Sequence, residues 1–229
     1  SAVLQLYIAE SLAALGKREE AFEYVSKAVR NTDGSLPYDR LLMAYQMRMY
    51  EAVGTKKADE ATMLETYRES VEFDARWPDF DIAMGYFYYM RDCYAETVEY
   101  LERAVAKAGM MNDFVYSRFP EHWKRICGIL TVCCSNLKDW VGIVKYGTLY
   151  LQEDKNAEGV IVPILNQLVN VEQEPVEAVI GCLRGIYNLE DRKDLFFLIK
   201  CVNKAGLLSL EDALKKYLTD EERALIYKE

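Results

Sequence analysis

The stretch Tyr7–Asn31 reads YIAESLAALGKREEAFEYVSKAVRN, and Ile82–Gly109 reads IAMGYFYYMRDCYAETVEYLERAVAKAG. Apolar residues recur at helical spacing on both sides of a short polar turn, which predicts two helices joined as a hairpin in each stretch. Each second helix carries Glu-Tyr followed four residues later by alanine, Ala28 or Ala104, which is small enough to let helices lie close together. We expect Ala104 in the helix contact and Lys107 on the solvent face.

The same helical period continues along nearly the whole chain, and no segment predicts a strand. Helices are predicted at residues 2–15, 18–30, 37–53, 58–73, 79–90, 94–108, 121–135, 139–151, 157–170, 175–187, 191–204 and 209–229. Residues 109–120 form the longest irregular stretch and predict a boundary or a bend. The predicted fold is all-α, a superhelical array of antiparallel helix hairpins with a C-terminal helical cap.

The hairpins of residues 2–151 resemble the tetratricopeptide repeat, a helix–turn–helix unit of 34 residues. The third hairpin is the most similar, with family residues at Gly85, Tyr88, Tyr94, Tyr100 and Ala104. The resemblance implies a solenoid that holds a protein or peptide segment. It divides the chain into three hairpins over residues 1–109, a divergent fourth hairpin over 110–151, and a cap over 152–229.

A second resemblance links the chain to the helical region that follows the catalytic domain of some bacterial family-2 glycosyltransferases. It rests on WPDFDIAMGYFYY at residues 77–89 and on Ile186-Tyr187, Asp191 and DLFFL at 194–198. It implies a tail for acceptor binding or dimerisation, with the sugar-transfer chemistry in another domain. Since the helical pattern begins at Ala2, we expect a longer parent protein. The alternatives are part of a catalytic unit that acts on glycans, a stand-alone adaptor, and a self-associating structural domain.

Composition excludes several classes of function. The net charge of −9 and the absence of a basic stripe argue against nucleic-acid binding, which depends on clustered lysine and arginine. No apolar run reaches the roughly 20 residues of a membrane span. The six cysteines form no CxxC pair, which favours buried thiols in a reducing cytoplasm.

Catalytic and metal-binding patterns are scarce. His122 is the only histidine, which excludes histidine clusters and a Ser-His-Asp triad, and we expect it to be exposed near a helix start. Asp79 and Asp81 have the D-x-D spacing of a metal site, but at a helix start they fit first-turn acids that face the helix dipole. The sequence contains no glycine-rich phosphate loop. It therefore predicts no enzyme activity, no cofactor and no metal.

Aromatic residues supply the candidate binding surface. The chain has seventeen tyrosines, and residues 86–89 are consecutive aromatics that cannot all face one core. Tyrosine and arginine are favoured at protein interfaces because they offer large, stiff, amphipathic surfaces. The predicted inner wall of a groove consists of Tyr38, Tyr45, Arg48, Met49, Tyr86 and Tyr89. The alternative is that these side chains pack hairpin against hairpin.

Overall fold

The computed structural model describes residues 1–32, 34–55 and 58–226, with side chains through Ala224. Within these ranges the chain forms thirteen α-helices and no strand, which confirms the all-α class. It divides into two compact units, Ser1–Ile126 and Cys127–Glu229, and the division falls inside the seventh helix. The predicted three-part division at residues 109 and 151 stays a prediction.

The first unit consists of three helix hairpins and the start of the next helix. Its helices are α1 (Ala2–Ala14), α2 (Arg18–Arg30), α3 (Tyr38–Gly54), α4 (Glu60–Asp74), α5 (Pro78–Tyr89), α6 (Tyr94–Ala108) and the first part of α7 (Phe119–Leu137). These bounds lie close to the predicted ones because capping residues mark them. Trp77 caps α5 with Pro78 in its first turn, and Asp59 caps α4 through its side chain.

The three hairpins pack in chain order. Helix α1 packs on α2, α3 on α4 and α5 on α6, while α2 contacts α3, and α3 and α4 contact α5. One core cluster joins α1, α2 and α3 around Ala28 and Ala44, and a second joins α3, α4 and α5 around Met49 and Phe87. Ala104 is fully buried, as predicted.

Lys107 does not lie on the solvent face. Its side chain is only 15% exposed, and its ammonium donates to the fully buried carboxylate of Asp81 at 2.5 Å. The Tyr67 hydroxyl donates to the same carboxylate at 2.8 Å. The prediction was wrong because helical periodicity assigns a charged residue to solvent. The long side chain of Lys107 instead reaches its partner on the preceding helix, α5.

Gly85 sets the close approach of α5 and α6. A Cβ at this position would stand 2.5 Å from Cδ2 of Leu101, which is itself fully buried and has little room to move. We expect Gly85→Ala to lower the free energy of unfolding by about 1–2 kcal/mol, since overpacking outweighs the better helix propensity of alanine.

Gly181, in a later helix at Val176–Arg184, is the control for this substitution, because it is exposed and nothing lies within 4 Å of its added Cβ. Gly181→Ala should raise the free energy of unfolding by about 0.5–1 kcal/mol. Urea unfolding measures both variants. A Gly85→Ala protein as stable as the wild type would contradict the close approach.

The turns inside four helix pairs share one hydrogen-bond pattern. After α1, Gly16 adopts a left-handed conformation with φ +73°. The N–H of Gly16 donates to the carbonyl of Ala13, and the N–H of Lys17 donates to the carbonyl of Leu12. This is the Schellman ending of a helix. The corresponding left-handed residues are Asp92, Lys138 and Gly206, each followed by the same backbone pair.

The second unit contains the end of α7 and six further helices. These are α8 (Trp140–Glu153), α9 (Glu158–Asn166), α10 (Val176–Arg184), α11 (Arg192–Lys204), α12 (Leu208–Lys215) and α13 (Asp220–Ile226). Helix α9 carries Pro163 and continues into a π-helical segment, Gln167–Val171. Helix α8 packs on α9, α9 on α11, and α12 on α10 and α11.

The last predicted helix is two helices. Thr219 begins α13 with a reciprocal capping box, in which its N–H donates to Glu222 and its Oγ1 accepts from the Glu222 N–H. Ser209, the first residue of the predicted helix, lies inside α12, whose N-cap is Leu207. No helix in the described part of the chain is both long and apolar enough to cross a membrane.

Candidate functional site

A cavity of about 480 Å³ lies within the first unit, between α1, α3 and the irregular stretch that precedes α7. We call it the inner cavity, and the helix surface that lines it the α1–α3 face. Its lining residues are Leu6, Glu10 and Ala13 of α1, Met43, Gln46, Met47, Tyr50 and Glu51 of α3, Phe114–Arg118 and Glu121.

Residues 113–118, here called the return segment, are held by hydrogen bonds to side chains of α3 and α5. The Gln46 side-chain amide donates to the carbonyl of Tyr116 at 2.7 Å. Asp79, in the first turn of α5, accepts from the backbone N–H of Arg118 at 2.9 Å and from the Ser117 hydroxyl at 2.7 Å. The return segment itself turns at Val115 and Tyr116, where the N–H of Ser117 donates to the carbonyl of Phe114. It is held largely by backbone groups that any peptide has.

Asp79 is fully buried. Burial raises the pKa of its carboxyl, and the hydrogen bonds from Arg118 and Ser117 lower it. It is a first-turn acid of α5, as predicted, but its side chain binds the return segment. The sequence did not predict this second role, since the partner lies 38 residues further along the chain.

His122 is half-buried in the first turn of α7, which corrects the expectation that it is exposed. Its ring stacks on Tyr50 with centroids 5.5 Å apart, and its Nδ1 shares a 2.8 Å hydrogen bond with the Tyr86 hydroxyl. Burial lowers the pKa of His122, and the neighbouring Arg125 and Arg118 lower it further. The imidazole therefore favours its neutral form and joins α3 and α5 to α7 as packing.

Two buried oxygen atoms of residues lining the inner cavity have no hydrogen-bond partner. They are the hydroxyl of Tyr50 and Oε2 of Glu51. Burial raises the pKa of both groups, while Arg18 and Arg118 act on Glu51 in the opposite direction. The neighbouring Asp79 carboxylate also raises the pKa of Tyr50, both by its charge and through a side-chain hydrogen bond. Unsatisfied buried polar atoms such as Oε2 of Glu51 are costly in a folded protein.

On α3 the predicted wall does not face the inner cavity. Met49 is fully buried in the core of α3, α4 and α5. Arg48 is 1% exposed, donates to Ser26 at 3.1 Å and pairs with Glu69 of α4. Tyr45 is half-buried and stacks on Phe73 with centroids 4.5 Å apart. The burial of Arg48 and Met49 corrects the expectation of a partly exposed wall.

The other three predicted residues are spread over different surroundings. Tyr38 is 47% exposed and donates to Asp74 at 2.6 Å. Tyr86 is buried beside His122, and its pKa is raised to about 12 by burial. Tyr89 is half-buried at the end of α5. The structure thus brings Tyr86 close to the α1–α3 face, while Tyr38 and Tyr45 meet at Phe73 on the other side of α3.

Sequence reasoning missed Gln46, Tyr50, Glu51 and the return segment. The signal in α3 is weak because LLMAYQMRMY, residues 41–50, is apolar almost all round, and neighbouring positions differ by about 100° in direction. An error of one residue in helix register therefore moves the predicted wall onto the core.

Metal chemistry finds no support among the described residues, since no group of three His, Cys, Asp or Glu side chains has the geometry to hold an ion. Comparison with protein-family models gives no match to this chain, and comparison with curated proteins gives none either.

Proposed function

We propose that this chain is a non-catalytic scaffold of the tetratricopeptide kind, which binds an extended segment of another protein at the α1–α3 face. The observation that carries the proposal is the return segment. Gln46 donates to the carbonyl of Tyr116, and Asp79 accepts from the N–H of Arg118, so both residues bind backbone groups that every peptide presents.

The inner cavity leaves room for a second chain beside the return segment. Its volume of about 480 Å³ lies within the roughly 300–1,000 Å³ typical of ligand sites. Leu6, Met43 and Met47 supply apolar walls, and methionine side chains adapt to different partners because they are unbranched and flexible.

The recurring turn supports the repeat character. The same Schellman ending occurs at Gly16, Asp92 and Lys138, inside three of the four proposed hairpins, and also at Gly206 in the proposed cap. The superhelical arrangement and the C-terminal cap belong to this proposal.

The parent protein is also a matter of proposal. The resemblance to family-2 glycosyltransferases fits a tail of such an enzyme that acts in acceptor binding or dimerisation. A cytoplasmic location fits the six cysteines, which form no disulfide. A catalytic glycan-acting unit, a stand-alone adaptor and a self-associating domain remain the alternatives.

Filling the inner cavity tests the proposed site. Ala13 lines the cavity, and Ala13→Phe would occupy it without removing a hydrogen bond. We expect short linear peptides selected from a phage-displayed library on the wild-type protein to lose binding to this variant, because the ring takes their place. Fluorescence polarisation with the labelled peptides measures the change.

Ala14→Phe is the matched control, since Ala14 is exposed on the same helix and lies outside the cavity lining. It should bind the selected peptides as the wild type does. If no peptide is selected, or if both variants bind equally well, the α1–α3 face is not a peptide site.

A further inference from the structure

Helix α1 carries an exposed stripe on the side that faces away from α2. Leu4, Tyr7 and Leu15 are 59%, 57% and 73% exposed, and Ser11 between them is exposed as well. The four side chains recur at i, i+3, i+7 and i+11, so they lie along one face of the helix. We call them the outer α1 stripe. None of them is charged, and a contiguous stripe of this kind marks an interaction surface in a soluble protein.

The first and third hairpins match each other without a gap. Gly16 and Asp92 are the left-handed residues of their turns. Twelve residues further along, Ala28 and Ala104 are both fully buried in the second helices. Positions of α1 and α5 therefore correspond when they are counted back from these turns.

The first three positions of the outer α1 stripe have counterparts in α5. In order, the residues there are Phe80, Ala83 and Phe87. All three are at most 1% exposed and lie in the core cluster that joins α3, α4 and α5. In α5 this face is thus covered by the preceding hairpin, so the open face of α1 has the position of a helix contact.

The side-chain sizes along the stripe fit a second copy of the chain. About a two-fold axis, two α1 helices pack antiparallel, and each contact between two residues occurs twice. Tyr7 of one copy then lies opposite Ser11 of the other, and Leu4 lies beside Leu15 of the other copy. A large side chain facing a small one lets the helices approach closely. The Ser11 hydroxyl donates to the carbonyl of Tyr7 at 2.9 Å, so it enters the contact already satisfied.

Charge also favours this face for self-association. The chain has a net charge of −9, so two copies repel each other over much of their surface. The stripe is uncharged, and beside it Glu10 and Arg40 neutralise each other in a pair at 3.0 Å. The Arg40 guanidinium also lies over the Tyr7 ring, 5.5 Å from its centroid. Two copies can therefore meet here without bringing like charges together.

We propose that the outer α1 stripe is the interface of a homodimer, in which two α1 helices pack antiparallel with Tyr7 of each copy against Ser11 of the other. The contact runs along one helix of 13 residues, about 20 Å in length. It is smaller than a standard interface of roughly 800 Å² per partner, so the dimer is weak and depends on protein concentration. The inference stands apart from the proposed function, because Leu6 and Ala13, which line the inner cavity, lie on the opposite side of α1.

A charge-swap experiment tests the pairing and its register. Sedimentation velocity over a concentration series should show the wild-type protein passing from monomer to dimer. We expect Ser11→Glu and Tyr7→Lys each to weaken the dimer at least about tenfold, since one adds a carboxylate at the small position and the other removes the ring. An equimolar mixture of the two variants should associate at least about threefold more tightly than either alone, because the new lysine then faces the new glutamate.

Met110→Glu is the matched control. Met110 is 77% exposed and lies outside α1, and the substitution adds the same charge as Ser11→Glu. It should leave the dimer unchanged. The substituted side chains are exposed in the monomer, and circular dichroism checks that each variant folds.

Three results would overturn the inference. A wild-type protein that stays monomeric at every concentration would leave the stripe to a helix of another protein. A dimer that Ser11→Glu and Met110→Glu weaken equally would lie elsewhere on the surface. A mixture that associates no better than its two components would exclude the contact of Tyr7 with Ser11.

Discussion

Lys107→Met is expected to lower the free energy of unfolding by about 3 kcal/mol, the largest effect among the substitutions considered. The substitution leaves the Asp81 carboxylate fully buried, with the Tyr67 hydroxyl at 2.8 Å and Arg103 at 3.9 Å as its remaining partners. An ionised carboxylate without its cation is expensive to keep out of water. Urea denaturation at neutral pH measures the loss.

Lys17→Met provides the control. The Lys17–Glu20 pair joins adjacent turns of a helix start, and more than half of both side chains is exposed (54% and 56%). Removing this pair should change the free energy of unfolding by no more than about 0.5 kcal/mol in either direction. The double variant Asp81→Asn/Lys107→Met should recover part of the stability, because no charge is then left buried. Equal losses for Lys107→Met and Lys17→Met would show that Asp81 is solvated.

Glu69→Ala is expected to lower the free energy of unfolding by about 2 kcal/mol, the second largest effect. It leaves the Arg48 guanidinium, 1% exposed, with the Ser26 hydroxyl as its remaining acceptor. The estimate lies below that for Lys107 because Glu69 is itself 31% exposed, so solvent already screens the pair. Thermal and urea unfolding both report the change.

The same variant decides whether Arg48 belongs to a binding wall. Because Arg48 does not line the inner cavity, Glu69→Ala should bind the selected peptides with unchanged affinity. The exposed Glu72, one turn along α4, is the control, and Glu72→Ala should change stability by less than about 0.5 kcal/mol. A protein that keeps its stability but loses peptide binding in Glu69→Ala would restore Arg48 to the wall.

Much of the fold follows from local sequence. Helical periodicity and capping residues predict the helices closely, because each signal lies within a few residues of the element it marks. Helix α1 ends at Ala14, one residue before its predicted bound, and the left-handed Gly16 follows it. Pro78 opens α5, one residue before the predicted start. The split of the last helix was missed, because residues 216–218 carry no glycine or proline to mark the break.

The candidate site depends on contacts that local patterns do not encode. Asp79 binds the return segment through its hydrogen bond with Ser117, which lies 38 residues further along the chain. Gln46 does so through its hydrogen bond to Tyr116, 70 residues away. Irregular residues such as those of the return segment have no period from which to infer what they contact. Sequence reasoning predicted a groove wall on α3, but two of the residues assigned to it, Arg48 and Met49, are packed into the core.

The return segment also has a consequence for the order of folding. The helix pairs of the first unit close through neighbouring elements, whereas the Gln46–Tyr116 contact spans 70 residues. Contacts between distant residues cost more loop-closure entropy and form later, and during synthesis the N-terminal part of a chain leaves the ribosome first. The α1–α3 face is therefore expected to be complete before the segment that covers part of it arrives. A partner that meets the nascent chain would find this face fully open.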